Sequence, residues 1–385
     1  MNADERRCAL ALSRMGYHNI TVLRELYNAW GSMADIVKQH AHPEQLAPNM
    51  PERLLAAFAH TDEHLKRADE EMRFAQDNNI SIITLADEAY PQRLKACFDA
   101  PLALFFKGNA NLNAKHCISI VGTRKATPYA ADCIAQLTAR LKQLCPDILI
   151  VSGLAYGVDI MAHRQAIDHA LPTVAVLAHG LDTLYPSRHR KEATLMMQNG
   201  GLLTEYFSQS KIDKRNFLQR NRIVAGMSAA TLLVESAEHG GGLVTCRLAQ
   251  SYQHDVFAFP GSINNPYSVG CNRLIRDNVA GLVTSAEDIL KAMAWEEDMK
   301  ETAATNAAST MGSSVLGAMS ASTAKVPNGA QGVLDVLTKE NDLHIDIIAT
   351  RAGLPVNKVL ALLFQLEMSG MVSSLRGSRY HKVNS

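Results

Sequence analysis

The sequence predicts an α/β fold built on a mostly parallel sheet, with a small helical module before it and a winged-helix domain after it. Between residues 80 and 295, short β-branched apolar runs alternate with amphipathic helical stretches, which is typical of parallel strands joined by crossover helices. The apolar spacing before this region is helical, and a low-charge segment after it leads to a second ordered pattern. At 385 residues the chain is long enough for two or three domains.

The first 75 residues are predicted to form a helical module of the SAM-like or helix-hairpin-helix-like kind. Gly16 and Gly31 are natural breaks between its helices. The apolar positions that indicate helical spacing are Leu23, Leu26, Trp30, Leu54, Leu55 and Phe58.

The region 80–295 contains short apolar runs that we interpret as strands, each followed by a helical stretch. The predicted strands are Ile118–Val121, Ile148–Val151, Thr173–Leu177, Leu202–Thr204, Thr231–Val234, Val256–Phe259 and Leu282–Thr284. The predicted helices span 128–144, 158–170, 187–199, 216–226, 243–253 and 286–295.

The last part of the chain is predicted to hold a flexible linker and a winged-helix domain. Residues 300–328 are rich in alanine, serine, threonine and glycine, with little charge, which favours a linker. Residues 330–385 then show three helical stretches and two short strands around a turn at Arg376–Gly377, the order of a winged helix. Its helices are predicted at 331–340, 344–352 and 356–369.

Charge and cysteine content limit the classes of function. Lys+Arg and Asp+Glu are both 38, so the net charge is zero and any nucleic-acid site must be a local patch. The chain has an odd number of cysteines, seven, and no C-x-x-C motif. Both observations favour reduced thiols in a cytoplasmic protein. We expect no membrane span, because no run of 18 apolar residues occurs and the first apolar run is too short for a signal peptide.

The segment 211–222, K-I-D-K-R-N-F-L-Q-R-N-R, combines cations with one aromatic residue, Phe217. Cations neutralise phosphates, and an aromatic ring stacks on a base of any identity. We therefore interpret the segment as a binder of a polyanion, and of single-stranded nucleic acid in particular. Its cations are Lys211, Lys214, Arg215, Arg220 and Arg222.

The loops that follow the predicted strands supply further anion-binding candidates, since ligands of open parallel sheets bind beyond the carboxyl ends of the strands. Glycines there let backbone N–H groups approach a phosphate, and a helix N-terminus favours an anion. The candidates are Gly122, Thr123, Arg124 and Lys125; Ser152, Gly153 and Gly157; Arg188; and Gly240, Gly241 and Gly242.

A catalytic function of these loops has less support in the sequence than anion binding. Asp159 and His163 share a helix face, but we favour a carboxylate stabilised by the helix dipole and a packing histidine over a catalytic pair. The chain contains no G-x-G-x-x-G, P-loop, G-x-S-x-G or H-E-x-x-H motif, and no cysteine–histidine zinc spacing. We therefore expect no nucleotide cofactor, no metal and no enzymatic activity.

The same loops, in the same order, resemble those of the DprA (Smf) family of DNA processing proteins. The matching segments include I-V-G-T-R-K-A-T, S-G-L-A-Y-G-V-D-I-M-A-H, F-L-Q-R-N-R-I-V-A-G, G-G-L-V-T and F-A-F-P-G-S-I. The resemblance implies an extended Rossmann-like domain that binds single-stranded DNA, forms a homodimer and loads the recombinase RecA during natural transformation. The positions that it implies for DNA contact are Arg124, Lys214, Phe217, Arg220 and Asn221.

The sequence departs from the family pattern at two positions and leaves two alternatives open. Thr123 stands where the family often has serine, and Tyr156 stands where it usually has arginine. One alternative is an enzyme related to nucleoside-monophosphate phosphoribohydrolases; in G-G-L-V-T-C-R-L, however, Leu248 occupies the position of their catalytic glutamate. The other concerns the winged helix, whose partner is either duplex DNA or a protein.

Overall fold

The computed structural model describes residues 3–17, 19–47, 49–296, 329–375 and 378–383. It divides into two compact units, Met1–Ala126 with Leu137–Trp295, and Thr127–Gln136 with Glu296–Ser385. The predicted linker 300–328 and the predicted turn Arg376–Gly377 lie outside the described residues.

The chain begins with a set of helices that pack through an apolar interior. The buried face of the first helix includes Leu10 and Leu12, and the second helix ends at Gly31, which adopts the left-handed backbone conformation expected of a helix C-terminus. Arg7 pairs with Asp69 across two of the helices, with Nε and Oδ1 2.6 Å apart. The helices are α1 (Ala3–Met15), α2 (Ile20–Trp30), α3 (Met33–Lys38), α4 (Glu52–Phe58) and α5 (Thr61–Asp77).

A mostly parallel sheet follows, as predicted, and within the described residues it has nine strands instead of the seven predicted. Its strand order is β1-β2-β6-β5-β4-β3-β7-β8-β9. Pairs β1–β2 and β2–β6 are antiparallel, and the other pairs are parallel. The strands are β1 (Ser81–Thr84), β2 (Ala103–Gly108), β3 (Cys117–Val121), β4 (Leu149–Ser152), β5 (Thr173–Val176), β6 (Gly200–Thr204), β7 (Ala230–Leu233), β8 (Asp255–Ala258) and β9 (Gly281–Leu282).

Helices cover the sheet between its strands. The 187–199 prediction is divided, because a 3₁₀ turn at Ser187–His189 precedes a shorter α-helix. The helices are α6 (Gln92–Ala96), α7 (Pro128–Leu144), α8 (Val158–Asp168), α9 (Arg190–Met196), α10 (Lys214–Met227), α11 (Gly241–Ser251), α12 (Val269–Arg276) and α13 (Ala286–Ala292).

The two antiparallel strands, β1 and β2, and the helices α6 and α12 are absent from the sequence-based prediction. Strand β2 carries the run A-L-F-F-K-G and is buried over its first four residues, but no amphipathic crossover helix of ordinary length separates it from β1. A pattern of alternating strands and helices does not include such a pair, because antiparallel neighbours need no crossover connection.

The central strands are buried on both faces. Every residue of β3, β4 and β5 is buried, which explains why their sequences are continuous apolar runs rather than alternating ones. The polar exceptions are satisfied within the sheet: Ser119 Oγ lies 2.8 Å from Thr231 Oγ1, and Ser152 Oγ donates to the Ile120 carbonyl at 2.6 Å. None of the seven cysteines, which all lie within the described residues, forms a disulfide, and six of them are buried.

His163 gives this unit a predictable response to acid. The ring is fully buried, with Nδ1 2.8 Å from Thr173 Oγ1 and Nε2 without a hydrogen-bond partner among the described residues. Burial, with a smaller contribution from Arg220, lowers its pKa from the ordinary 6.5 to about 3. As the pH falls, the histidine of the unfolded chain takes up a proton before the buried ring does. The contribution of His163 to the free energy of unfolding is therefore fully present above pH 6.5 and is lost as the pH falls from 6.5 towards 3.

Acidification from pH 7 to pH 5 is therefore expected to cost about 2 kcal/mol through this histidine alone. Urea unfolding at the two pH values measures the loss. A His163→Gln variant should keep the bond to Thr173 and remove about that part of the pH dependence. An equal loss in variant and wild type would show that His163 is not the group responsible.

The second unit contains the predicted winged helix, with three helices and a three-stranded sheet of order β10-β12-β11. The short strand β10 was not predicted. Among the described residues no single helix is long and apolar enough to cross a membrane; one bent pair, Ile345–Ala352 with Val356–Met368, meets that test only when joined. The elements are α14 (Gln331–Lys339), β10 (Leu343–His344), α15 (Ile345–Ala352), α16 (Val356–Met368), β11 (Val372–Leu375) and β12 (Arg379–Lys382).

Candidate nucleic-acid interface

A groove opens at the carboxyl ends of β3 and β7, where the strand order reverses. Chain order runs outward from β3 through β4, β5 and β6, and then returns to β7 on its other side. At such a reversal the loops that follow the two adjacent strands, here β3 and β7, run in opposite directions and leave a crevice between them. The groove has a volume of about 470 Å³. The predicted site residues that line it are Gly122, Thr123, Arg124, Gly153, Lys214, Phe217, Arg220, Asn221, Gly240, Gly241 and Gly242.

Arg124, Phe217 and Tyr185 form an aromatic–cation cluster on the groove wall. The Arg124 guanidinium carbon lies 5.5 Å from the centroid of the Phe217 ring. The Tyr185 ring meets Phe217 edge to face, with centroids 5.8 Å apart and planes at 69°. Arg124 and Tyr185 are both exposed. The cluster thus presents a positive charge beside an aromatic surface, which suits a phosphate next to a stacked base.

Helix α10 delivers both Phe217 and Lys214 to this groove. Asp213 caps the helix, with its carboxylate accepting the Arg215 N–H at 2.7 Å. Lys214 in the first turn is exposed and lines the groove. The neighbouring Arg215 does not line it, and pairs with Asp213 instead, with Nε and Oδ1 3.4 Å apart. Of these two adjacent cations, the structure favours Lys214 as the phosphate contact.

Arg220 forms the floor of the groove rather than a mobile phosphate contact. Its side chain is buried and donates through Nη1 to the carbonyls of Gly153 and Val176. Burial lowers the pKa of Arg220, and the nearby charge of Asp159 opposes that effect. Burial likewise raises the pKa of Asp159, against the influence of Arg220. The two groups compensate each other, so Arg220 contributes shape and hydrogen bonding more than net charge.

Two glycines leave room for close contacts around this floor, one with the Arg220 side chain and one with the backbone of the Thr123 loop. A Cβ at Gly153 would lie 2.2 Å from Arg220 Nη1. Gly157 adopts φ +77°, and a Cβ there would lie 2.2 Å from the Thr123 carbonyl oxygen. Both glycines therefore allow neighbouring segments to approach closely. Gly157 itself does not line the groove.

The glycine triplet begins α11 and turns its N-terminus toward the groove. Gly240 is the N-cap residue and Gly241 the first helical residue. The first backbone N–H groups of a helix have no partner within the helix and carry partial positive charge. Asn221 fixes this end from α10, its Nδ2 donating to the Gly241 carbonyl at 3.4 Å. This arrangement is typical of a phosphate-binding helix N-terminus.

Several predicted contacts lie elsewhere. Arg222 is buried away from the groove and pairs with Glu205, so its guanidinium is not free for phosphate; the expectation of a phosphate contact there has no support in this geometry. Ser152 is buried and bonded to the Ile120 carbonyl. Lys125 and Arg188 are exposed but do not line the groove.

Other predicted features have structural explanations. Tyr156 is exposed, packs edge to face on His189 with centroids 5.1 Å apart, and does not line the groove. His163 is the packing histidine that the bond to Thr173 requires. Asp159 hydrogen-bonds the Ala155 N–H at 3.4 Å rather than reaching His163. No metal cluster of histidine, cysteine or carboxylate side chains occurs within the described ranges.

Three exposed groove residues were not predicted from the sequence. Tyr185, Leu218 and His239 line the groove together with the predicted set. Leu218 follows Phe217 directly and His239 precedes the glycine triplet. Both are therefore sequence neighbours of residues that were predicted to bind DNA. Tyr185 lies in L-Y-P before a basic helix start, and an exposed aromatic in a strand-end loop is the signal that could have identified it.

A family model described as DNA recombination-mediator protein A matches residues 81–294, which include every element of this groove. The chain belongs to the DprA (Smf) family. A second family model, the DprA winged helix domain, matches residues 317–378. The family, the mostly parallel sheet with N-terminal helices, and the C-terminal winged helix are thus confirmed. The match places the chain among proteins of DNA processing in recombination.

Relatives of known name agree with this assignment. DNA processing protein DprA of Streptococcus pneumoniae is 36% identical over 54% of this chain and 72% of its own length. Protein Smf of Escherichia coli is 32% identical over 81% of this chain and 80% of its own.

Two solved structures share the fold. DNA processing protein A from S. pneumoniae superposes with a TM-score of 0.62, 29% identity, and coverage of 73% of this chain and 95% of that one. DNA processing protein A from Helicobacter pylori, solved to explain its unique single-stranded DNA binding mode, gives a TM-score of 0.51, 28% identity, and coverage of 56% and 96%.

Proposed function

We propose that the chain binds single-stranded DNA, without sequence preference, in the groove between the ends of β3 and β7. The observation that carries this proposal is the joining of Arg124, Phe217 and Lys214 with the open N-terminus of α11 in one crevice. The single-stranded DNA binding of the H. pylori relative supports the same ligand class.

The binding would combine two physical effects. Exposed Arg124 and Lys214 release counterions from phosphates, which makes the affinity depend on salt. Phe217 and Tyr185 offer aromatic faces and edges to unstacked bases, and stacking of this kind tolerates every base. In duplex DNA the bases are already stacked and paired, so a duplex would gain only the release of counterions from its phosphates. A preference for single strands follows.

The same groove favours a binding role over a catalytic one. Among the described residues that line it, Asp159 is the only carboxylate, and it is buried against Arg220. Leu248 holds the position where phosphoribohydrolases carry their glutamate. Glu235 is buried, and its Oε1 accepts from the Asn265 amide at 3.4 Å. We therefore propose a non-enzymatic mediator.

The cellular role that we propose is the loading of RecA onto single-stranded DNA during natural transformation, by a homodimer in the cytoplasm. This role rests on membership of the family and on a groove that holds the strand without modifying it.

Fluorescence anisotropy with labelled oligonucleotides tests the proposal. We expect sequence-tolerant binding to oligo-dT and mixed single strands, much weaker binding to duplex, and an affinity that falls steeply with salt. Equal affinity for duplex would contradict it. A second stage adds RecA to the same protein–DNA complexes and follows filament nucleation; faster nucleation in the presence of the chain is the expected result.

A further inference from the structure

A second cavity lies on the other side of the start of α10, between the N-terminal helices and the sheet. Its volume is about 450 Å³, within the usual range for small-molecule sites. It is separate from the groove: Asn216 lines this cavity, whereas its neighbours Lys214 and Phe217 line the groove. Its other lining residues come from α1, the start of α2, α5, the start of β2 and the segment 205–211.

The walls of this cavity are aromatic. Tyr17 and Tyr206 have ring centroids 6.0 Å apart and planes at 60°. Phe207 is held edge to face by Phe105, with centroids 5.4 Å apart. Tyr17 and Phe207 are only half-buried. The Arg67 guanidinium carbon lies over the Phe207 ring, 5.5 Å from its centroid. A flat ring entering the cavity would therefore meet Tyr17 and the part of Phe207 that Arg67 leaves open, both already fixed in position.

The charges around the cavity are positive on balance. Glu205 is the only carboxylate among the described lining residues, and it pairs with Arg222. Arg67 is compensated by Glu71, with Nη2 and Oε2 2.7 Å apart.

Two exposed cations remain at the mouth, Arg14 and Lys211. Arg14 Nη1 lies 3.3 Å from His64 Nδ1, and a histidine carries no negative charge in either protonation state, so this contact does not neutralise the arginine. An anion at this position would be favoured.

We infer that this cavity binds a nucleotide, with its base against Tyr17 and Phe207 and its phosphate at Arg14 and Lys211. An aromatic ring that carries an anionic group several ångströms away is the ligand that these walls and charges match. Ser210 and Gln209 also line the cavity and bring a hydroxyl and an amide, which are groups that hydrogen-bond a sugar or a base. The nucleotide comes either from solution or from a DNA strand that continues past Lys214; the second source rests on the proposed function, and the first does not.

Calorimetric titration of the full chain with GMP, ribose 5-phosphate and inorganic phosphate tests the free-nucleotide source. The Arg14→Ala/Lys211→Ala variant should bind GMP at least roughly tenfold more weakly than wild type, since two charge-assisted contacts are lost. Lys66→Ala/Arg215→Ala removes two exposed cations that do not line the cavity and should leave GMP binding unchanged. Ribose 5-phosphate should bind much more weakly than GMP, because it lacks the ring.

Oligo-dT of increasing length tests the strand source with the same variants. If the cavity receives a nucleotide of a bound strand, Arg14→Ala/Lys211→Ala should weaken long oligonucleotides and leave short ones, which fill only the groove, unaffected. Arg124→Ala should weaken both. GMP binding to a protein that fails to bind single strands would support the cavity and refute the proposed function.

Two results would overturn the inference. One is an unchanged affinity of Arg14→Ala/Lys211→Ala for GMP and for oligonucleotides of every length. The other is GMP binding that Arg124→Ala abolishes and Arg14→Ala/Lys211→Ala preserves, which would place the nucleotide in the groove. Thermal unfolding of each variant checks that these exposed substitutions leave the fold intact.

Discussion

Replacement of Arg222 by methionine is expected to lower the free energy of unfolding by about 3–5 kcal/mol at pH 8, the usual cost of leaving a buried charge unpaired. The Arg222 and Glu205 side chains are only 6% and 8% exposed. Arg222 also donates to the Asp99 carbonyl at 2.5 Å, and the Asp99 carboxylate adds to its electrostatic stabilisation. Without the guanidinium, Glu205 is left as a buried carboxylate with no cation beside it.

The pH dependence of this loss identifies its cause. Burial already raises the pKa of Glu205 with Arg222 present, and removal of the cation should raise that pKa further. Because the folded variant then takes up a proton that the unfolded chain has lost, its deficit relative to wild type should shrink from pH 8 to pH 5. Urea unfolding at both pH values measures it.

Two further variants separate charge from packing. Arg222→Met/Glu205→Leu removes both charges and should recover part of the stability, since a buried pair is often replaceable by apolar side chains. Arg215→Met, on the same helix but exposed, should change stability by no more than about 0.5 kcal/mol. A deficit in Arg222→Met that does not change with pH would mean that lost packing, not the unpaired carboxylate, is responsible.

Arg222 also shows where sequence reasoning stops. F-L-Q-R-N-R places Arg220 and Arg222 two residues apart, and a helix directs such residues to different sides. Their cationic character was evident from the sequence, but their burial and their partners, the Gly153 carbonyl and Glu205, depend on which strands flank α10. Long-range packing of this kind has no local signature.

The strands and strand-end loops that could be predicted are determined by residues close together in the sequence. Continuous apolar runs mark strands that are buried on both faces, and the strand-end loops must then lie at one edge of the sheet. That is why the sequence alone was enough to place Gly122, Arg124 and the triplet beginning at Gly240 at one edge of the sheet, whereas their adjacency follows from the pairing of β3 with β7. The antiparallel strands β1 and β2, and the position of Tyr185 beside Phe217 in the groove, depend on contacts between segments far apart in the sequence.

Substitution of Phe217 by alanine is expected to weaken binding to single-stranded DNA by about 1–3 kcal/mol, the usual value for loss of one stacking ring. Substitution of Arg124 by alanine should weaken binding and reduce the slope of log K against log salt by about 0.7–1. Anisotropy titrations over a salt series measure both. For Phe217→Ala we expect little change in slope, because an uncharged ring releases no counterions.

The two losses should not be additive. Arg124 lies over the Phe217 ring at 5.5 Å, so removal of the ring also removes the contact that orients the guanidinium, and the double variant should lose less than the sum of the single losses. Lys214→Ala and Arg215→Ala provide a matched comparison of adjacent cations. Only the first lines the groove, so only the first should reduce the salt slope appreciably. Equal effects at the two positions would mean that the strand follows the outside of α10 and not the groove.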